Sequence, residues 1–336
     1  MKHWIHLTLL ACLSGVVQAA GSAGVESQTQ AFLEALEKGG GAPMETLTPQ
    51  QARAILTGAQ QGAVLPEALV EQKNIQVDGE SLSITVVKPK GSKGKLPVFM
   101  FFHGGGWVLG DFPTHERLIR DLVNFSGAAD VYVNYTPSPE AKFPTAINQA
   151  YKATLWVAEN AGSLGLDGSR LAVAGNSVGG NMAAVVALKA KEAAKPKLAF
   201  QLLLWPVTDA NFNNQSYLTY AEGHFLTRGM MEWFWDNYTT SAEQRNSIYA
   251  SPLRASVQQL KGLPPALIQT AEMDVLRDEG EAYGRRLNLA GVTTSVVRYN
   301  GMIHDYGLLN ALSQNSTVQL ALQQAGTALH QHLFPE

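Results

Sequence analysis

Ser177 stands in Gly175-Asn176-Ser177-Val178-Gly179, the spacing G-x-S-x-G. A serine hydroxyl is a weak nucleophile until a positioned base takes its proton. This spacing serves that chemistry when the serine sits on a sharp turn between a strand and a helix. The neighbours predict that context: Leu171-Ala172-Val173-Ala174 is an apolar run before the turn, and Met182 to Leu188 is a run of good helix formers after it. Gly175 and Gly179 carry no Cβ and let the backbone crowd there. A helix starting at the turn aims free N–H groups and its positive end at the serine, which favours developing negative charge.

The base and its orienting acid have to come from elsewhere in the chain. His304, in Asn300-Gly301-Met302-Ile303-His304-Asp305-Tyr306, follows the apolar stretch Thr293–Tyr299. Apart from His224, it is the only histidine between Ser177 and the terminal helix; His330 and His332, near that helix's end, are expected in solvent. For the acid, Asp274 sits just past the apolar stretch Ala266–Thr270, with Glu272 and Asp278 as rivals. Asp278 fits better in the first turn of the next helix, where an acid is favoured in any case. A tetrahedral intermediate also needs hydrogen-bond donors for its oxyanion. His103-Gly104-Gly105-Gly106 follows a buried strand, and the N–H groups of Gly104, Gly105 and Val178 are the expected donors. The glycine run also suits a plain loop or a weak phosphate cradle, but neither G-x-x-x-x-G-K-[ST] nor G-x-G-x-x-G supports a phosphate.

Strands alternating with helices must hold these groups. Asn74–Val77 and Leu82–Val87 flank Asp78-Gly79, a hairpin signal. Leu96–Phe102 is continuously apolar, as a strand buried on both faces should be. Strands are then expected at Val131–Tyr135, Leu171–Ala174, Leu198–Trp205, Ala266–Thr270 and Thr293–Tyr299. Helices are expected near 144–159, 279–290 and 318–333. Such alternation predicts an α/β fold with a mostly parallel sheet covered on both faces. Residues 21–72 read as mainly helical, with Thr48, Pro49 and Gln51 marking a capped helix start. Residues 207–250 interrupt the rhythm with Phe212, Tyr217, Tyr220, Phe225, Trp233, Phe234, Trp235 and Tyr238. Most of these aromatics are expected to pack the insertion down, with two or three facing a ligand.

Four motifs carry a resemblance. His103–Trp107 matches H-G-G-G-[FW], and Gly175–Asn181 resembles G-D-S-A-G-G-N. Asp274–Gly280 resembles D-P-L-R-D-E-G, and Gly301–His304 resembles G-M-x-H. Together, and in this order, they are similar to the hormone-sensitive-lipase-like (family IV) esterases of the α/β-hydrolase superfamily. The resemblance runs from about residue 74 to the end. It implies an eight-stranded sheet in a core of residues 73–206 and 251–336. It also implies a helical cap from residues 21–72 and 207–250, and hydrolysis of short- to medium-chain carboxylic esters with no cofactor and no metal. Ser177 would then be nucleophile, His304 base and Asp274 its orienter, with Trp107, Asn176 and Phe225 assigned to the substrate. The departures are Asn176 and Val178, where the family has Asp and Ala, and Tyr135–Glu140, which keeps only the ends of Y-R-L-A-P-E and so lacks its arginine. A different acyl substrate such as an amide or lactone uses the same machinery, and a ligand-binding protein could be built on the same fold. The resemblance also leaves a homodimer through the edge strand open.

A net charge of −3 with no basic run argues against nucleic acid or an anionic membrane as the main partner and leaves a small-molecule ester. Residues 1–20 differ from the rest: Lys2 and His3 precede an apolar stretch from Leu7 to Val17, and small residues follow. This reads as a signal peptide cleaved near Ala19 or Ala20, too short for a membrane span or stable anchor. The expected destination is the periplasm or the medium. The single cysteine, Cys12, falls inside that segment, so the mature chain is expected to have no disulfide.

Overall fold

The computed structural model describes residues 21–335. The expected signal peptide therefore lies outside the described residues. Among those described, no helix is long and apolar enough to cross a membrane.

The chain begins with two helices, α1 (Ser27–Gly39) and α2 (Pro49–Ala59). The capping box at α2 forms as its sequence predicts: Thr48 accepts from Gln51 N–H and the Gln51 side chain accepts from Thr48 N–H. A hairpin follows, β1 (Ala68–Val77) and β2 (Glu80–Pro89). Asp78 and Gly79 both take positive φ (51° and 84°), which suits a two-residue turn matched to strand twist. Strand β1 starts six residues before Asn74. Its outer half alternates less cleanly because it is an edge strand with both faces partly wet.

The core continues through β3 (Leu96–Phe102), α3 (Phe112–Ser126), β4 (Ala129–Val133), α4 (Thr145–Asn160), β5 (Leu166–Asn176) and α5 (Val178–Glu192). Then come β6 (Phe200–Leu204), the insertion with α6 (Gln215–Thr219), α7 (Arg228–Tyr238) and α8 (Ala242–Asn246), and the short α9 (Val257–Leu260). The chain closes with β7 (Ala266–Met273), α10 (Arg277–Leu289), β8 (Thr294–Ile303) and α11 (Ser316–Leu333). Helix α3 has no counterpart among the helices expected from periodicity. Its signal is local, since Asp111 and Thr114 form a reciprocal cap with Pro113 in the first turn.

The eight strands form one sheet in the order β1-β2-β4-β3-β5-β6-β7-β8. Strands β1, β2 and β4 pair antiparallel and all later pairs are parallel. Helices α3 and α11 cover one face, and α4, α5 and α10 the other. Every residue of β3 is buried, as an inner strand between two helical layers requires. The carboxyl ends of β3, β5, β7 and β8 therefore open on one edge of the sheet, where ligands of open α/β sheets bind.

The insertion is held at both ends by one side chain. Asn181 Nδ2, on α5, donates to Val207 O (3.0 Å) and to Ala250 O (2.8 Å). On the opposite side, Arg117 of α3 is buried and donates to the carbonyls of Gly307 and Leu308 and to Asn310 Oδ1, while pairing with Asp121 at 2.6 Å. The residues after β8 are thus fixed from below. The N-terminal segment crosses over the top: Gly21 N–H donates to Gly223 O, Glu26 N–H to Gly301 O, and Asn315 to the Glu26 carboxylate.

Candidate active site

Strand β5 ends at Asn176 and α5 begins at Val178, so Ser177 is the whole turn between them. Its φ of 54° and ψ of −123° put a non-glycine residue in strained backbone, which lifts Oγ off the sheet edge. The flanking glycines are obligatory here. A Cβ on Gly179 would lie 1.9 Å from Phe102 O, and one on Gly175 would lie 2.2 Å from Gly179 O. Strain gathers around this point. Of the seven non-glycine residues with positive φ among those described, Trp107, Ser177, Trp205 and Asp305 lie in the turns after β3, β5, β6 and β8.

The three groups singled out in the sequence meet. His304 Nε2 is 3.0 Å from Ser177 Oγ, and His304 Nδ1 is 2.7 Å from Asp274 Oδ2. The other carboxylate oxygen of Asp274 accepts from Leu276 N–H at 3.0 Å, which fixes its plane. All three residues are buried. Burial disfavours the His304 imidazolium, but the charges of Asp274 and Asp305 outweigh it and hold the pKa above its ordinary 6.5. The arrangement can take a proton from Ser177 on one side while a carboxylate steadies the cation on the other.

The rival acids are occupied elsewhere. Glu272 accepts from Gly301 N–H at 2.7 Å and Asp278 from Ser216 N–H at 2.8 Å, the latter in the first turn of α10. His224 contacts Ser22 at 2.9 Å, far from the serine's chemistry in role and partner. His330 is exposed, but His332 is half-buried and stacks on Phe200, so it is less solvated than expected.

Three expected roles need correction, those of Gly104, Asn176 and Trp107. Gly104 does not offer a free N–H, because it donates to Asn176 Oδ1 at 3.0 Å. The N–H groups of Gly105 and Gly106 donate to no group among the described residues, and Val178 N–H heads α5. Gly106 joins the candidate donors only in the structure; three glycines in a row give no local signal of which N–H is already used. Asn176 is fully buried with its amide bonded to protein on both sides, so it does not face substrate. Trp107 is also fully buried, stacked on Tyr238 at 3.9 Å and set edge-on to Trp235. It ties the glycine turn to α7 of the insertion rather than presenting itself to a ligand. Phe225 does line a cavity.

The glycine turn is held tightly from behind. His103 stacks between Tyr135 (4.1 Å) and Tyr132 (5.4 Å), and its Nδ1 donates to Gly104 O at 2.8 Å. Burial lowers its pKa to about 4, so it stays neutral. From above, Phe234 of α7 occupies the space where a Cβ on Gly106 would be. The Tyr135–Glu140 segment, which lacks an arginine of its own, receives one from α2: Arg53 grips Glu140 with two nitrogens at 2.6 and 2.7 Å and donates to Ser138 O and Val108 O.

A cavity of about 700 Å³ lies between the N-terminal helices and α7. Phe32, Leu36, Met44, Leu56, Phe225 and Met230 make its apolar wall, and Leu309 brings in the segment that follows His304. Ser177 is not part of its lining. A groove of about 530 Å³ beside α11 holds none of the catalytic groups.

Comparison with known proteins agrees with this fold. The sequence model of a family described as alpha/beta hydrolase fold matches residues 99–308. The structure is similar to that of a thermostable esterase from Pseudomonas putida, with a TM-score of 0.93 and 69% identity over 94% of this chain and 100% of that one. An ethyl acetate hydrolase of Pseudomonas putida is 33% identical over 319 residues, 90% of this chain and 98% of its own. A carboxylesterase of Mycobacterium tuberculosis is 37% identical over 245 residues, 72% of this chain and 77% of its own.

Proposed function

The chain belongs to the hormone-sensitive-lipase-like ester hydrolases of the α/β-hydrolase family, and from that premise we propose that Ser177, His304 and Asp274 hydrolyse uncharged carboxylic esters of short to medium acyl chain. The observation that carries this reading is the buried line from Ser177 Oγ through His304 to Asp274, at 3.0 and 2.7 Å, beside unpaired backbone N–H groups.

In this reading Ser177 Oγ attacks the ester carbonyl as His304 Nε2 takes its proton. The N–H groups of Gly105, Gly106 and Val178 receive the oxyanion. His304 then protonates the leaving alcohol, and the acyl group stays on Ser177 until a water, deprotonated by the same nitrogen, releases the acid. The apolar cavity beside α7 suits the uncharged part of such a substrate. Glu45, Glu222 and Glu232 at its wall disfavour an anionic one. Activity on a small ester fits the relative named an ethyl acetate hydrolase.

The test compares wild type with Ser177→Ala on p-nitrophenyl esters from acetate to palmitate. Loss of the nucleophile should lower kcat/KM by about four to six orders of magnitude. If neither protein turns over any ester and a phosphonate probe also fails to label Ser177, a ligand-binding role replaces the catalytic one. Export is part of the proposal, on the strength of residues 1–20. N-terminal sequencing of the secreted or periplasmic protein should begin near Gly21, and an intact cytoplasmic chain would refute it. A homodimer through the exposed edge of β8, where Leu289 and Leu320 are exposed nearby, should show as twice the chain mass in light scattering.

A further inference from the structure

The departure at Asn176 has a partner. Its side chain is fully buried between two groups of opposite need: Gly104 N–H, which requires an acceptor, and the Asp305 carboxylate, which requires a donor. Oδ1 meets the first at 3.0 Å and Nδ2 meets the second at 3.0 Å. Those two partners fix which end of the amide is which. Asp305 is itself anchored, since the same Oδ1 accepts from the Trp205 indole N–H at 2.6 Å, and its Oδ2 lies 3.8 Å from His304 Nε2. One short chain of hydrogen bonds therefore runs from the residue after the base, through the residue before the nucleophile, to the first glycine of the oxyanion turn.

We propose that Asn176 and Asp305 are a matched pair of positioning residues, which together register the oxyanion turn against the serine and histidine, and that the carboxylate at 305 makes the amide at 176 necessary. An aspartate at 176 would still accept from Gly104 N–H but would set a second carboxylate against Asp305 where a 3.0 Å hydrogen bond now stands. Two such buried groups cannot both be ionised. One of them would have to hold a proton or swing away, and a swing at 176 releases Gly104. Gly105 and Gly106 would then move with it, and a displacement of about 1 Å in donors aimed at a transition state costs on the order of 100-fold in rate. The carboxylate at 305 thus accounts for the amide at 176, a departure that the sequence left without a reason. Both residues act through the turn and the histidine rather than by touching substrate.

This inference rests on the ester-hydrolase reading, and the experiment separates the two. Four variants are measured beside wild type for kcat, KM and thermal midpoint on a short p-nitrophenyl ester: Asn176→Asp, Asp305→Ala, Asp305→Asn and the double variant Asn176→Asp/Asp305→Ala. Asn176→Asp should lose about 10- to 100-fold in kcat with KM changed less than about threefold, because the loss falls on oxyanion geometry. The double variant should recover at least several-fold over Asn176→Asp, since the opposing charge is gone. Asp305→Asn keeps an oxygen for both donors and should stay within several-fold of wild type. Should Asn176→Asp fail to fold, Asn176→Ala takes its place and should show the same split between kcat and KM. Full activity in Asn176→Asp, or a double variant no better than the product of its single effects, overturns the pairing. A wild type inactive on every ester overturns the parent reading instead.

Discussion

His304 has carboxylates near both ring nitrogens, Asp274 at 2.7 Å and Asp305 at 3.8 Å. Against the cost of burial, the two charges raise its pKa. The base works only when neutral, so kcat/KM should climb with pH through an acid limb whose midpoint lies above 6.5. Removing one negative charge destabilises the imidazolium and lowers the pKa. Asp305→Asn should therefore move that limb to lower pH, and a pH–rate profile that stays put or moves upward would contradict the assignment. At this scale the nucleophile, base and acid were legible because each follows an apolar stretch and the rival acids have nearby uses. The N–H already committed at Gly104 was not legible, because it depends on a side chain 72 positions away. The burial of Trp107 was hidden for the same reason, since its stacking partner Tyr238 comes from the insertion.

Helix α3 reaches the catalytic edge without supplying a reacting group. Its Arg117 bonds two carbonyls and an amide in the segment 307–310, just past His304, and neutralises Asp121. Arg117→Ala would strand a buried carboxylate and two carbonyls, at a cost of about 3–5 kcal/mol. Urea unfolding should show that loss, and a variant as stable as wild type would remove α3 from this role. Most elements could be read from periodicity, with ends within a few residues except at the starts of β1 and β5, which lie further upstream. Helix α3 is hard to read because it follows a glycine-rich turn, although its cap pattern is present in the sequence. The N-terminal helices carried a readable capping box, but nothing local announced that Arg53 would cross to Glu140.

The N-terminal segment ties together parts that are far apart in sequence. Within six residues it bonds the insertion at Gly223, the end of β8 at Gly301 and the start of α11 through Asn315. Each such hydrogen bond contributes on the order of 1 kcal/mol. A chain beginning at Ser27 should melt several degrees lower, at about 2–4 °C per kcal/mol for a protein of this size. Calorimetry on the two lengths measures it, and an unchanged midpoint would show that the segment merely rests on the surface. The mostly parallel sheet and its cover on both faces followed from alternation alone, while the order of the strands did not. This strap did not, because contacts spanning nearly the whole chain leave no trace in any local window.

Asn181 joins the first and last carbonyls of the 207–250 excursion at one point on α5, so that excursion leaves and re-enters the core through a single doorway. A loop whose ends already meet can be lengthened at little entropic cost, about 0.6 kcal/mol per doubling. Descendants of such a chain are free to exchange the roof while inheriting the floor. The stack of Trp107 on Tyr238 is one place where roof and floor must change together, and lineages that reshape the roof should carry their mark there.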